Sequence, residues 1–71
     1  MLFPRIRELR EENKLSQTAV AKALSITPHT YSRYEIGKGN LPGSAAAKLA
    51  LYYEVRADYI LGLTDIREPY P

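Results

Sequence analysis

The 71 residues contain no cysteine, no tryptophan, and only one histidine, one methionine and one phenylalanine. Without cysteine there can be no disulfide framework, no thiolate zinc site and no cysteine nucleophile. A lone histidine, His29, excludes a multi-histidine metal centre and, with no base, nucleophile or acid grouped around it, a catalytic site. No apolar run approaches the ~18 residues that a membrane helix needs. No basic stretch followed by an apolar segment of ~7–15 residues opens the chain at Met1-Leu2-Phe3-Pro4, so it does not read as a secretory leader and a cytoplasmic location is expected. Alternation with period two over strand length is also missing, so strands are not expected.

What remains has ordinary globular proportions: 45% apolar and 25% charged residues in a length that suits one small domain. The net charge of +2 is unevenly spread. Residues 1–40 carry seven Lys/Arg against four acids, net +3, and residues 41–71 carry three against four, net −1. A basic front and a near-neutral rear suit a polyanion bound on one side, although a solvated face gives the same count.

Capping and spacing signals place five short helices. Segment 4–13 starts with Pro4 in the first turn and sets Ile6 and Leu9 three apart, with Phe3 able to pack on the same face. Ser16 is an N-cap for 17–24, where Val20, Ala21 and Leu24 make an apolar stripe. Thr27-Pro28 joins a hydroxyl cap to a proline at N1, Tyr31 and Tyr34 have inward spacing, and Gly37 is a stop. Ser44 is read as the cap of a run to about Tyr53, and a last helix covers about 57–61, ended by Gly62. The domain is expected over 1–66, with a frayed tail at 67–71. Helices two and three are joined by only Ser25-Ile26-Thr27. That is too short for antiparallel packing and gives the crossing near ~90–120° of a helix-turn-helix. Small Ala21 suits the crossing, with Leu24, Ile26 and Tyr31 closing the wedge. The opposite face of the third helix holds Pro28, His29, Ser32 and Arg33, groups able to address base edges in a major groove.

Several segments carry a resemblance: Ile6-Arg7-Glu8-Leu9-Arg10, Leu15-Ser16-Gln17, Val20-Ala21 to Leu24, Tyr31-Ser32-Arg33-Tyr34-Glu35-Ile36-Gly37-Lys38, Leu49-Ala50 with Tyr52-Tyr53, and Asp58 to Asp65. Residues 5–65 resemble the Cro/lambda-repressor-type helix-turn-helix family, also called the xenobiotic-response-element family of bacterial and phage regulators. The resemblance implies an all-α bundle of five helices and a DNA-binding regulator. It places Pro28, His29, Ser32 and Arg33 at base-facing positions. It puts Gln17 at a phosphate-contacting position, Thr27 at the cap of the recognition helix touching backbone, and Lys38 and Asn40 in a loop that leans on phosphate. Ser16 and Lys22 are further phosphate candidates, and Arg10 and Glu35 match an internal salt bridge.

Departures from the family pattern are also visible. Ser25 stands where glycine is usual in a left-handed conformation, at a cost of order 1 kcal/mol. Pro28 can offer only apolar contact. Arg56 replaces the usual hydroxyl cap of the last helix. Ala46 and Ala47 stand where larger apolar residues are common, and Leu51 where a polar one is. The resulting expectation is a repressor that works by operator occupancy. It binds double-stranded DNA as a weak homodimer on two half-sites ~34 Å apart. The near-neutral rear would supply the dimer contacts, namely Leu51, Tyr52, Ile60, Leu63 and Ile66. No cofactor, metal, membrane contact or small-molecule effector is evident. The alternative is a protein-interaction module or antitoxin-like partner on the same scaffold, and an enzyme is not expected.

Overall fold

The computed structural model describes residues 3–38 and 40–69, and among these the only regular elements are five helices: α1 (Pro4–Glu12), α2 (Gln17–Ala23), α3 (Pro28–Ile36), α4 (Gly43–Tyr53) and α5 (Ala57–Ile60). The all-α reading is correct, and the boundaries lie within two residues of those expected.

Two hydroxyl caps form as the sequence indicates. Ser16 Oγ accepts from the Ala19 amide at 3.1 Å, and Thr27 Oγ1 accepts from the Thr30 amide at 3.2 Å. Ser44 does not cap α4. The helix begins two residues earlier than that cap implies, at Gly43, with Pro42 in extended conformation at the N-cap and no side-chain bond there. Pro42 lacks an N–H and has fixed φ, so the chain can turn into the helix without a hydroxyl. Arg56 likewise makes no capping bond at α5. Its guanidinium forks onto Asp58 in the first turn, with both N–O distances 3.0 Å.

All five helices end in one way. A residue with φ between 55° and 80° follows each: Lys14, Ser25, Gly37, Glu54 and Gly62. The amide just beyond it returns to the carbonyl five residues back: Leu15 to Arg10, Ile26 to Ala21, Lys38 to Arg33, Val55 to Ala50, and Leu63 to Asp58, at 2.8–3.1 Å. These bonds satisfy carbonyls that have no partner inside the helix. Ser25 therefore does adopt the left-handed conformation its place implies, and Lys14 and Glu54 do the same.

The core gathers Phe3, Ile6 and Leu9 before and along α1, Val20, Ala21 and Leu24 from α2, Tyr31 from α3, Ala46, Leu49 and Ala50 from α4, and Leu41, Val55 and Ile60. Each large side chain among them contributes ~1.5–3 kcal/mol through its removal from water. Ala21 is fully buried, and α2 packs chiefly on α3, as the tight turn requires. Ala46 is core, but Ala47 is exposed, so only the first of the two alanines thins the interior.

α1 and the C-terminal segment are clasped together. The Arg5 guanidinium lies 4.1 Å from the Tyr59 ring centroid, donates to the carbonyls of Tyr59 and Thr64, and pairs with Asp65. Arg67 forks onto Glu12 at 3.1 and 2.9 Å, lies 5.5 Å from the Tyr59 centroid, and its carbonyl accepts from the Arg56 amide at 3.0 Å. Within the tail expected to fray, Arg67 is thus tied to the body, and Pro69 lines a surface groove. Tyr70 and Pro71 lie outside the described residues. No described helix is long and apolar enough to cross a membrane.

Candidate nucleic-acid interface

Helix α3 divides its residues by period. Tyr31 is fully buried, Tyr34 and Glu35 are turned partly inward, and Pro28, His29 and Arg33 are exposed, with Ser32 half-buried. The four sequence-predicted base-facing residues therefore share the outward side. Ile36 is 54% exposed, three residues beyond Arg33 and seven beyond His29, and so continues the same stripe. Sequence alone does not single it out, because an isoleucine at the end of an amphipathic helix reads as core.

Arg33 is not a free side chain. Its Nη2 donates to the Lys38 carbonyl at 2.9 Å, while the Lys38 amide donates to the Arg33 carbonyl at 3.1 Å. Arg33 and Asn40 also line one shallow recess of about 190 Å³, together with Thr30 and Tyr34. The loop residues Lys38 and Asn40 are both exposed beside the helix, as are Ser16, Lys22 and Thr27 at its other flank. The Ser16 and Thr27 oxygens are occupied by their capping bonds, and Thr27 Oγ1 also donates to Thr30 Oγ1 at 2.9 Å.

Behind this face lies an ion pair. Arg10 Nε donates to Glu35 Oε2 at 2.7 Å, Arg10 Nη2 to Glu35 Oε1 at 3.2 Å, and Arg10 Nη1 to the Leu15 carbonyl at 3.0 Å. The Glu35 side chain is 3% exposed and that of Arg10 15%. Gln17 Nε2 donates to Glu35 Oε1 at 3.1 Å. Burial alone would raise the Glu35 carboxyl, but the hydrogen bonds from Arg10 and Gln17, with the Tyr31 hydroxyl close by, outweigh it and hold the group below the usual carboxylate value. Burial, with the carboxylate close by, pushes the Tyr31 phenol upward, and its hydroxyl closes no hydrogen bond of ordinary geometry. Burial and the neighbouring Tyr52 push Tyr53 up to about 12.

This pair has an electrostatic consequence for the surface. Between Asn13 and Tyr53 the sequence has a single acid, Glu35, against Lys14, Lys22, Arg33, Lys38 and Lys48. The five cations are exposed, and the acid is buried and neutralised. The surface contributed by α2, α3 and the following loop is thus without exposed carboxylates, a stronger bias than the chain's small net charge suggests. The clue was in the sequence as a gap between Glu12 and Glu54, but it required knowing that Glu35 faces inward.

On the rear, Leu51 is 82% exposed on the wall of a mostly apolar groove of about 450 Å³ that Ala47, Ala50, Val55, Arg56, Ala57 and Pro69 also line. Tyr52, Leu63 and Ile66 are exposed as expected of contact residues. Ile60 is not. It is 1% exposed and belongs to the core, because α5 is a single turn that must anchor itself through its one inward aliphatic side chain. No group of three or more metal-ligating side chains occurs among the described residues.

A helix-turn-helix whose third helix presents an outward side without an exposed carboxylate defines a class, and comparison with known proteins agrees. The helix-turn-helix family model matches residues 6–60, and the chain belongs to that family, of the Cro/lambda-repressor type, carrying its DNA-binding domain. It is 38% identical over 69 residues to the uncharacterized HTH-type transcriptional regulator YobD of Bacillus subtilis (strain 168). That match covers 97% of this chain and 62% of the relative, so the chain spans about three-fifths of that protein's length. The family is one of regulators rather than enzymes.

Proposed function

We propose that the chain is a sequence-specific reader of double-stranded DNA that acts as a transcriptional repressor in the bacterial or phage-infected cytoplasm, by occupying an operator. The observation that carries this reading is the outward stripe of α3, with Pro28, His29, Ser32 and Arg33 set in a surface whose only acid is withdrawn into a buried pair. Ser16, Gln17, Lys22, Thr27, Lys38 and Asn40 flank that stripe and supply backbone contacts. Affinity arises mainly from phosphate neutralisation and specificity from the α3 side chains.

A single domain of this size covers little DNA, so two copies bind two half-sites about one turn apart. The rear groove supports a two-fold contact. A protruding Leu51 beside a hole lined by alanines is self-complementary, since each copy can fill the other's hole. The contact is small and becomes firm only when DNA holds both copies.

Selection of bound fragments from random duplexes, followed by affinity measurement over a salt series, tests the function. Enrichment of a two-fold-related motif and a steep fall of affinity with salt are expected. Affinity that ignores both sequence and salt would leave a protein-interaction module on this scaffold.

A further inference from the structure

Gln17 sits at the rim of the DNA face, but its side chain is claimed from behind. Its Nε2 donates to Glu35 Oε1 at 3.1 Å, an oxygen that also accepts from Arg10 Nη2 at 3.2 Å. The bond joins the first residue of α2 to the inward side of α3, eighteen positions away. We propose that Glu35 is a positioning residue for DNA binding: it fixes the Gln17 amide with one hydrogen used internally and the other left as the side chain's sole donor for a DNA phosphate. The inference rests on the reading of Gln17 as a backbone contact.

Three features carry it. A glutamine amide has two chemically different ends, and a carboxylate can face only the NH₂ end. The Glu35 oxygens therefore decide which end lies inward, and they fix the direction of the remaining N–H. Glu35 is itself immobile: it is 3% exposed and gripped by two nitrogens of Arg10, whose third nitrogen is held by the Leu15 carbonyl. A carboxylate near a phosphate site would ordinarily repel the ligand, but Arg10 neutralises this one. An acceptor strong enough to orient Gln17 is thus supplied without net negative charge at the DNA face. A freely rotating glutamine must be ordered on binding, whereas one held by Glu35 is ordered beforehand.

The test is a mutant cycle on non-specific duplex DNA using the 71-residue chain. Gln17→Ala is expected to weaken binding about 2- to 10-fold, the scale of one pre-ordered side chain. The paired replacement Arg10→Met with Glu35→Leu, which substitutes apolar groups for the whole pair and so leaves no unpaired charge, should cost the same factor. All three changes together should cost no more than either alone. Losses that multiply independently would overturn the proposal and leave Glu35 a purely structural acid. No loss from Gln17→Ala alone would remove the underlying reading of Gln17, a separate failure that takes the proposal with it. A measurement on the unmutated chain guards against variants that do not fold. Gln17 is the only glutamine, so correlation to its γ-methylene separates its side-chain amide signal from those of Asn13 and Asn40 by NMR. One hydrogen is expected to be displaced from the free-amide position and slow to exchange, with or without DNA. Two ordinary free-amide hydrogens would overturn the proposal.

Discussion

Arg33 has an internal partner in the free chain, and the proposed function gives it an external one on a bound operator. In the free chain its guanidinium donates to the Lys38 carbonyl at 2.9 Å, an exposed bond of the kind that water can replace at little cost. A guanine offers two acceptors in a geometry that matches the fork, and so outbids one carbonyl. Arg33→Ala should therefore reduce affinity for the selected operator by ~1–3 kcal/mol and relax one base position, with thermal stability nearly unchanged. Equal loss on every duplex would make Arg33 a phosphate contact. Lys38 is exposed and contributes charge without a fork. Lys38→Ala should weaken all sequences alike and lower the slope of log affinity against log salt by about one unit. An unchanged slope would take Lys38 out of the footprint. The position of Arg33 was legible from its place in a Thr-Pro-capped helix. Its bond to Lys38 was not, because that depends on how the chain turns after Gly37.

Helices this short cannot persist alone, so their ends matter as much as their faces. Each of the five closes through a left-handed residue, and three of those residues carry a Cβ that favours other conformations. Ser25 is the informative one, since it forms the turn of the DNA-binding unit, with φ of 60° and its side chain exposed. Ser25→Gly should stabilise the fold by up to ~1 kcal/mol, visible as a rise in denaturation midpoint with an unchanged slope. A loss of stability would mean that the serine hydroxyl holds the turn in a way its conformation does not reveal. The starts of α2 and α3 could be read from Ser16 and Thr27-Pro28 because a hydroxyl cap acts within four residues. The start of α4 is not at Ser44, where the sequence points, because a proline N-cap leaves no hydrogen-bonding signature to find.

Seen as a unit, the molecule has its titratable interior among α1, α3 and the end of α4. Glu35 is held below the ordinary carboxylate value in the fold, so the unfolded chain binds its proton more readily. The stability this contributes is present above the ordinary glutamate pKa of ~4.3 and is lost as pH falls through the folded value. Tyr53, raised to about 12, and Tyr31, raised further, work in the opposite sense. Their contribution is full below the ordinary phenol pKa of ~10 and is lost as pH rises beyond it. Thermal melts across pH should show a plateau with an acid flank and an alkaline flank, the alkaline one coinciding with phenolate absorbance. Tyr31 and Tyr53 ionising while the fold stays intact would contradict it. The rear face gives a second expectation. Leu51→Lys should leave the monomer's melt within ~0.5 kcal/mol of the parent, since the residue is 82% exposed, but abolish cooperative filling of two half-sites. Mass measurement by sedimentation on one-site and two-site duplexes checks this, and a second copy that binds independently of the first in the parent chain would leave a monomeric reader.

The number of helices, the tight α2–α3 turn, the outward residues of α3 and the Arg10–Glu35 pairing could all be read from the chain, because caps and stripes act over a turn or two and because the family resemblance supplied the pair. The left-handed serine followed from the same source. Other features required the packed molecule. Ile60 reads as a contact residue in the chain, and only the docking of α5 shows it to be core. Ala46 and Ala47 are adjacent small residues, but a 100° step around α4 buries one and leaves the other on the groove. The capture of Gln17 by Glu35 and the clasp of Arg5 and Arg67 around Tyr59 join residues far apart in sequence. Local periodicity says which side of a helix is apolar. Which polar group meets which across two helices depends on their crossing, and that crossing exists only after the core has closed.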